Sequence, residues 1–337
     1  MAVLGFANLS LLDVARRIDP DGKAAAIAEV MNASHEILED IPFVEGNLPT
    51  GHKSTLRASV PTPTWRLLNQ GVVRVKTQTN QITTTCGMME NYSDIDKDLA
   101  LLNGNTQGFR MQEDKGIIEG MSQSLATTLI YGDTDINPER FVGLAPRYYT
   151  LAGSATSGNI INAAGAAALT SIWLVGWAPD KVFGIYPKGS KAGLEQQDLG
   201  EVTALDATGN PYQAYRTHYQ HKVGLVVADW RYVVRICNIN TTALLTAGDV
   251  ADTSANIIKM MSMAIDIIPT AGSARLVFYC NQVVRAMLRV KYMSRSNSWI
   301  TLENLQGAGG IMRPTLGFMG IPVRRVDEIV STETAIA

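Results

Sequence analysis

The sequence predicts an α+β fold, and three observations carry that prediction. Residues 106–131 place apolar side chains at helical spacing over 26 positions. Residues 172–240 read mainly as strands parted by Gly, Pro, Asn and Asp. Elsewhere the two kinds of element mix without the βαβ alternation of a parallel sheet.

Composition narrows the class. The chain has 337 residues, 46% of them hydrophobic and 18% charged, enough apolar material for a core. Its 29 Lys and Arg against 31 Asp and Glu give a net charge of −2, which argues against global attraction to nucleic acid or an anionic membrane. Three cysteines, Cys86, Cys237 and Cys280, cannot all pair and lie too far apart for a metal knuckle, so free thiols are expected. Met1–Phe6 lacks the basic flank of a signal peptide. Tyr148–Pro179 carries no charge, but small and polar residues interrupt it and Ile172–Trp177 has strand composition, so no spanning segment is expected.

The elements follow in order. A short helix over 10–18 and a second from 21 to 41 are expected, the latter stopped by Pro42. From Gly46 to Met89 there is no Asp or Glu, while Lys53, Arg57, Arg66, Arg74 and Lys76 are present. Residues 72–85 alternate like a strand, yet Thr and Gln fill both faces, so this arm lacks the apolar face that would let it stand alone. The acidic run behind it, Glu90, Asp94, Asp96 and Asp98, is a candidate receptor for a neighbour's basic arm.

The helix over 106–131 would span about 39 Å at ~1.5 Å per residue. Ile118, Met121, Leu125 and Leu129 form its stripe with Ile117 and Phe109 beside it. Gly132 is its expected cap, and Gly116 and Gly120 inside it mark either a departure from a straight helix or close approach by a neighbouring backbone. Strands are expected at 173–177, 181–186, 212–218, 224–228 and 232–239. A helix capped by Thr253 or Ser254 then carries Ile257, Ile258, Met261, Ile265 and Ile268 to Pro269. Strand 274–280, helix 281–292, a Gly-rich loop at 307–310 and strand 320–326 complete the chain.

Searches for chemistry mostly fail: there is no dinucleotide fingerprint, Walker lysine loop, nucleophile elbow or His-Glu-x-x-His. His218 and His221 have metal-like spacing for a helix but sit in strand context without a third ligand. Asp133-Thr-Asp135-Ile-Asn137 begins like a calcium loop, but Pro138 and Leu144 occupy the Gly and Glu positions, so a turn is the better reading. Between Ile267 and Val326 the residues Arg275, Arg285, Arg289, Lys291, Arg295, Arg313, Arg324 and Arg325 face only Glu303. Of these, Arg285, Arg289, Lys291 and Arg295 are candidates to face DNA or a partner. The residues alone point to a large α+β domain that self-associates.

The spine helix followed by Leu129-Ile-Tyr-Gly-Asp133 and Pro138-Glu-Arg-Phe-Val-Gly-Leu144 resembles the long helix and following turn of tailed-phage major capsid proteins with the HK97-type fold. Further stretches are similar to capsid proteins of short-tailed phages: Asp19–Lys23, Phe43–His52, Trp65–Gly71, Gly184–Gly193, Asp229–Arg235 and Gly320–Arg324. Together they run from residue 19 to about 328.

The resemblance implies a non-enzymatic shell protein without cofactor. Its copies form hexamers and pentamers that close an icosahedral head around double-stranded DNA, contacted weakly and without sequence preference. It implies an N-terminal helical arm (1–50), an extended β-arm or E-loop (51–92), and a peripheral domain (93–150) built on the spine helix 106–131. A mainly axial domain (151–310) and a return to the peripheral domain (311–337) follow. Lys53, Arg57, Trp65, Arg66, Arg74, Lys76, Glu90, Asp94, Asp96 and Asp98 then become candidates for contact between subunits. Portal, scaffolding and decoration or cement proteins are the implied partners, with no membrane; no scaffolding segment precedes the helical arm, so a separate scaffold is expected. The virion head is the implied location, with assembly in the host cytoplasm. An encapsulin-like bacterial compartment shares the fold and is the first alternative. A metal enzyme using His218 and His221 is the alternative of another class.

Overall fold

Nine successive residues, Leu169–Trp177, are buried on both faces, as expected of a strand with neighbours on either side and layers above and below. This strand is the sixth of the computed structural model, which describes residues 35–101, 106–206, 208–247, 256–293, 300–306 and 312–337. The expected helices before residue 34, the motif Asp19–Lys23, the caps Thr253 and Ser254, Arg295 and the glycines of 307–310 lie outside the described residues.

In chain order the strands are β1 (Phe43–Glu45), β2 (Gly51–Ser59), β3 (Gln78–Thr85), β4 (Gly87–Asp96), β5 (Ile160–Asn162), β6 (Leu169–Trp177) and β7 (Val182–Tyr186). They continue as β8 (Leu194–Leu205), β9 (Pro211–Val227), β10 (Val233–Asn240), β11 (Arg275–Cys280), β12 (Ile300–Gln306), β13 (Met312–Phe318) and β14 (Ile321–Arg325). The α-helices are α1 (Lys97–Leu101), α2 (Thr106–Tyr131), α3 (Thr241–Ala247), α4 (Ile257–Ile267) and α5 (Gln282–Met293). None of the described helices is long and apolar enough to cross a membrane.

The chain divides into two units. One takes in residues 88–125 and 191–222 among those described; the other takes in 35–87, 126–190 and 223–337.

In the larger unit, β10 and β11 both pair antiparallel with β6, while β14 runs parallel to β11 and β13 and β12 extend the sheet from it. β7 pairs with the last residues of β9, and β1 lies parallel to β7. Trp173, Val175, Val234, Ile236, Val277 and Phe278 are fully buried here. The Trp177 indole donates to the Tyr279 hydroxyl at 2.7 Å, so a buried N–H is not left unpaired. In the smaller unit β4 and β8 flank β9, and Phe109 of α2 packs against Ile95 and Ala100.

Several expectations need correction. Residues 35–41 form no α-helix; a 3₁₀ turn at Glu36–Glu39 leads into β1. Met121, Leu125 and Leu129 are buried as the stripe requires, but Ile118 is 36% exposed and Ala126 and Ile130 are buried instead. A Cβ at Gly116 or Gly120 would meet nothing outside its own helix among the described residues. Gly132 follows α2 because a Cβ there would lie 2.5 Å from Thr128 O and 2.4 Å from Phe141 O. Gly143 is held equally close, with its N–H donating to Gly132 O at 2.8 Å. The two expected strands 212–218 and 224–228 are one continuous β9. The helix beginning at Ile257 is capped by Asn256, whose side chain accepts from Lys259 N at 3.0 Å.

Candidate assembly surfaces

β2 and β3 form an antiparallel ladder of their own, from Gly51 opposite Thr85 to Ser59 opposite Gln78. Between them residues 60–77 make no strand, and a turn closes with Gln70 N donating to Leu67 O at 3.2 Å beside Asn69, whose φ is 65°. β3 buries only Thr84, as a strand with Thr and Gln on both faces must. The loop between the strands differs from the polar arm expected. Trp65 is 99% exposed, Leu68 90% and Leu67 74%, and Val60, Val72, Val73 and Val75 are exposed with them. Lys53, Arg57, Arg66, Arg74 and Lys76 are exposed along the same arm. Large apolar groups gathered on a projecting loop mark a contact surface, and Trp is the residue most often carrying the energy of one.

The root of this arm is built differently. Gly184 lies against the Phe43 ring, where a Cβ would sit 2.6 Å from the aromatic carbon, so β1 can lie directly on β7. Gly46 N donates to Tyr186 O at 2.8 Å, Lys188 N to Leu48 O at 3.2 Å, and Gly189 N to the Glu45 carboxylate at 2.9 Å. The stretches Phe43–His52 and Gly184–Gly193, singled out in the sequence, thus interlock through residues 43–48 and 184–189.

The acidic run is largely occupied by its own unit. Asp94 receives both Nε and Nη2 of Arg216 at 2.6 Å. Glu90 accepts from the Gln220 amide and lies 3.4 Å from His218 Nε2, which draws its carboxyl below the ordinary range. Asp96 accepts the Asp98 N–H at 2.9 Å as α1 begins; Asp98 and Glu90 are the exposed members of the set. Within the subunit, β9 thus gives Asp94 a counter-charge in Arg216 and gives Glu90 the neutral Gln220 amide and the His218 ring as neighbours.

The basic C-terminal third finds its acids at the other end of the sequence. Arg285 pairs with Glu36 at 2.9 Å, Arg324 with Glu39 at 2.9 Å and Asp40 at 3.0 Å, and Arg275 with Asp40 at 2.7 Å. Burial pushes the Asp40 carboxyl up, against the opposing pull of Tyr279, Arg324 and Arg275. Arg325 pairs with Asp327. Arg285, a candidate for DNA, is therefore held within the chain. Arg289 is exposed; the side chain of Lys291 lies outside the described residues, with Arg295. The imbalance of eight bases against Glu303 was the signal for an acidic segment docking from elsewhere.

His218 and His221 stand three apart on β9 and so leave opposite faces of the strand, where they cannot share one ion. His218 stacks on Tyr92 with ring centroids 4.5 Å apart. Among the described residues no three metal-binding side chains gather. Asp133 caps its own turn, accepting from Asp135 N through the side chain and from Asn137 N through the carbonyl, each at 2.9 Å.

An arm without a core of its own, carrying exposed apolar side chains and anchored by an interlocked root, is the architecture of a protein that packs against other copies or partners. The family described as major capsid protein GP7 matches residues 19–337, and the chain belongs to that family. In the structure of bacteriophage Epsilon15 a chain of 33% identity matches at a TM-score of 0.76, covering 100% of this chain and 99% of that one. The capsid of bacteriophage JBD30 matches at 10% identity and TM-score 0.46, covering 89% and 93%. The holo-SrpI encapsulin complex from Synechococcus elongatus PCC 7942 matches at 11% and 0.46, covering 68% and 96%. No curated protein matches the chain. The protein is thus a bacteriophage major capsid protein with the α+β fold of the HK97-type capsids, and a component of the virion shell.

Proposed function

We propose that this capsid protein closes its shell through the arm of residues 51–92, laid over the next copy in hexamers and pentamers of an icosahedral head. The observation that carries the reading is the exposure of Trp65, Leu67 and Leu68 on a loop attached only through a polar two-stranded ladder. An isolated hairpin of that kind is marginal in water and gains stability by lying on another surface. In this reading residues 93–150, built on α2, serve as the peripheral domain and residues 151–310 as the mainly axial domain, with 311–337 returning to the peripheral domain. Double-stranded DNA is the enclosed cargo, met weakly through exposed bases such as Arg289. A portal, a separate scaffold and decoration proteins complete the head, which forms in the host cytoplasm. The protein performs no catalysis.

Magnitudes rank the forces on the arm. Burying a large apolar side chain is worth about 1.5–3 kcal/mol, whereas an exposed ion pair is worth about 0.2–1 kcal/mol. The apolar loop therefore outweighs the five bases. Reversing Arg74 and Lys76 to Glu is expected to slow assembly at low salt and to matter little at ~0.5 M salt, where screening is nearly complete. Light scattering of assembling subunits across a salt series checks this; an equal defect at all salts would show that these charges contribute by direct contact.

A further inference from the structure

The amide of Asn47 occupies the place of a missing strand. Its Nδ2 donates to Lys53 O at 2.8 Å and its Oδ1 accepts from Lys53 N at 2.7 Å. In an antiparallel ladder a residue directs both polar backbone groups to one side, so those of Lys53 point away from β3, whose Thr83 lies opposite. Asn47 thus closes the outer edge of the arm at its base.

The intervening segment reverses tightly: Leu48 N donates to Gly51 O at 3.1 Å and Gly51 N to Leu48 O at 3.4 Å. Cys86 N bonds Thr50 O at 3.0 Å from the returning strand. Gly51 is obligatory there, since a Cβ would come within 2.0 Å of Thr84 O. Asn47 itself is exposed, and no part of the core depends on it.

We infer that Asn47 is a positioning residue: its paired bonds to Lys53 fix the direction in which the arm leaves the subunit, and thereby where the apolar loop meets the next copy. The inference rests on the reading of the arm given above. From Lys53 to Ser59, six steps of β2 at ~3.4 Å make a lever of roughly 20 Å, so a swing of about 10° displaces its far end by about 3.5 Å. That displacement exceeds the tolerance of any packed contact.

The test compares full-length N47A, N47D and W65A with the parent chain. Unassembled subunits are examined by thermal unfolding and by hydrogen exchange at the Lys53 amide, and assembled particles by electron microscopy. N47A is expected to melt within about 2 °C of the parent, because an exposed hydrogen-bonding group contributes little to global stability. Its Lys53 amide should exchange about tenfold faster or more. Uniform closed shells should fall at least about fivefold in favour of open or irregular particles, an effect that a merely stabilising residue would not produce without lowering the melting temperature. N47D keeps the acceptor for Lys53 N and loses the donor to Lys53 O, so its shell yield should lie between the two. Should N47A melt much lower, the same intermediate yield from N47D supports the inference, and no recovery in N47D overturns it. An unchanged Lys53 amide in N47A overturns it, as does wild-type shell yield from N47A while W65A fails to assemble. Wild-type shells from W65A would instead remove the arm reading itself.

Discussion

Replacing residues 60–77 with a two-residue Asn-Gly turn is expected to give a subunit that folds and melts like the parent but forms no stable shells. Ser59 and Gln78 stand directly opposite at the end of the ladder, the geometry that such a turn closes. Trp65 and Leu68 are 99% and 90% exposed, so the excision removes little buried surface from the subunit. Surface changes of this kind alter stability by about 0.5 kcal/mol or less. Association loses far more. If only Trp65, Leu67 and Leu68 are buried on the neighbour, about 4–9 kcal/mol is lost, and every ~1.4 kcal/mol is tenfold in affinity. Sedimentation of the purified variant should show subunits or small oligomers under conditions that assemble the parent. Normal particles in normal yield would exclude the loop as the contact.

The second large effect concerns Glu333, which bridges to Leu169 at the start of β6. Glu333 is held by a buried cluster: its carboxylate accepts from the Tyr131 hydroxyl at 2.5 Å, from Arg235 Nη2 at 2.9 Å and from the Ser171 hydroxyl. Arg235 donates further to Tyr148 O at 2.9 Å and to Ser171 Oγ at 3.1 Å, and its guanidinium lies 4.8 Å over the Trp173 ring. Both charged side chains are only 5% exposed. Burial and the adjacent carboxylate push the Tyr131 phenol far above its ordinary value, which keeps it a neutral donor. Glu333→Ala leaves the guanidinium buried without its counter-charge, a loss of about 3–5 kcal/mol. A melting temperature lower by roughly 10 °C is expected for a chain of this size, with a smaller drop for Glu333→Gln, which keeps an acceptor. A double variant with Arg235→Leu should recover part of the loss, since an apolar pair can replace a buried ion pair at little cost. Melting of Glu333→Ala within about 2 °C of the parent would mean that the cluster relaxes freely.

The parts of the fold legible in the sequence are those where local pattern and burial agree. The helix over 106–131 has those limits in the structure, and the apolar run 172–177 lies within β6. β8 was invisible because Leu194-Glu-Gln-Gln-Asp-Leu199 is exposed on both faces, so neither alternation nor an apolar run marks it; its pairing with β9 makes it a strand. β12 and β13 escaped for a related reason: Pro314 interrupts one of them, and Gly307, Gly309 and Gly310 stand between them in the sequence. Glu36, Glu39 and Asp40 read as helix, but their ion pairs with Arg285, Arg324 and Arg275 hold them in a 3₁₀ turn, a long-range effect no window of sequence contains. At the candidate surfaces the basic arm was legible as composition. Its apolar loop carries little signal because Trp65, Leu67 and Leu68 sit among Pro, Thr, Arg and Asn, outside any periodic pattern. Asn47 carries no signal without the turn that folds it back onto Lys53.

The most direct test is a near-atomic cryo-electron microscopy map of shells assembled from this chain together with its co-expressed neighbours. The account predicts closed, uniform particles in which Trp65, 99% exposed in the single subunit, is buried against the adjacent copy. Shells in which Trp65 and Leu68 remain in solvent, held together through other surfaces, would contradict it.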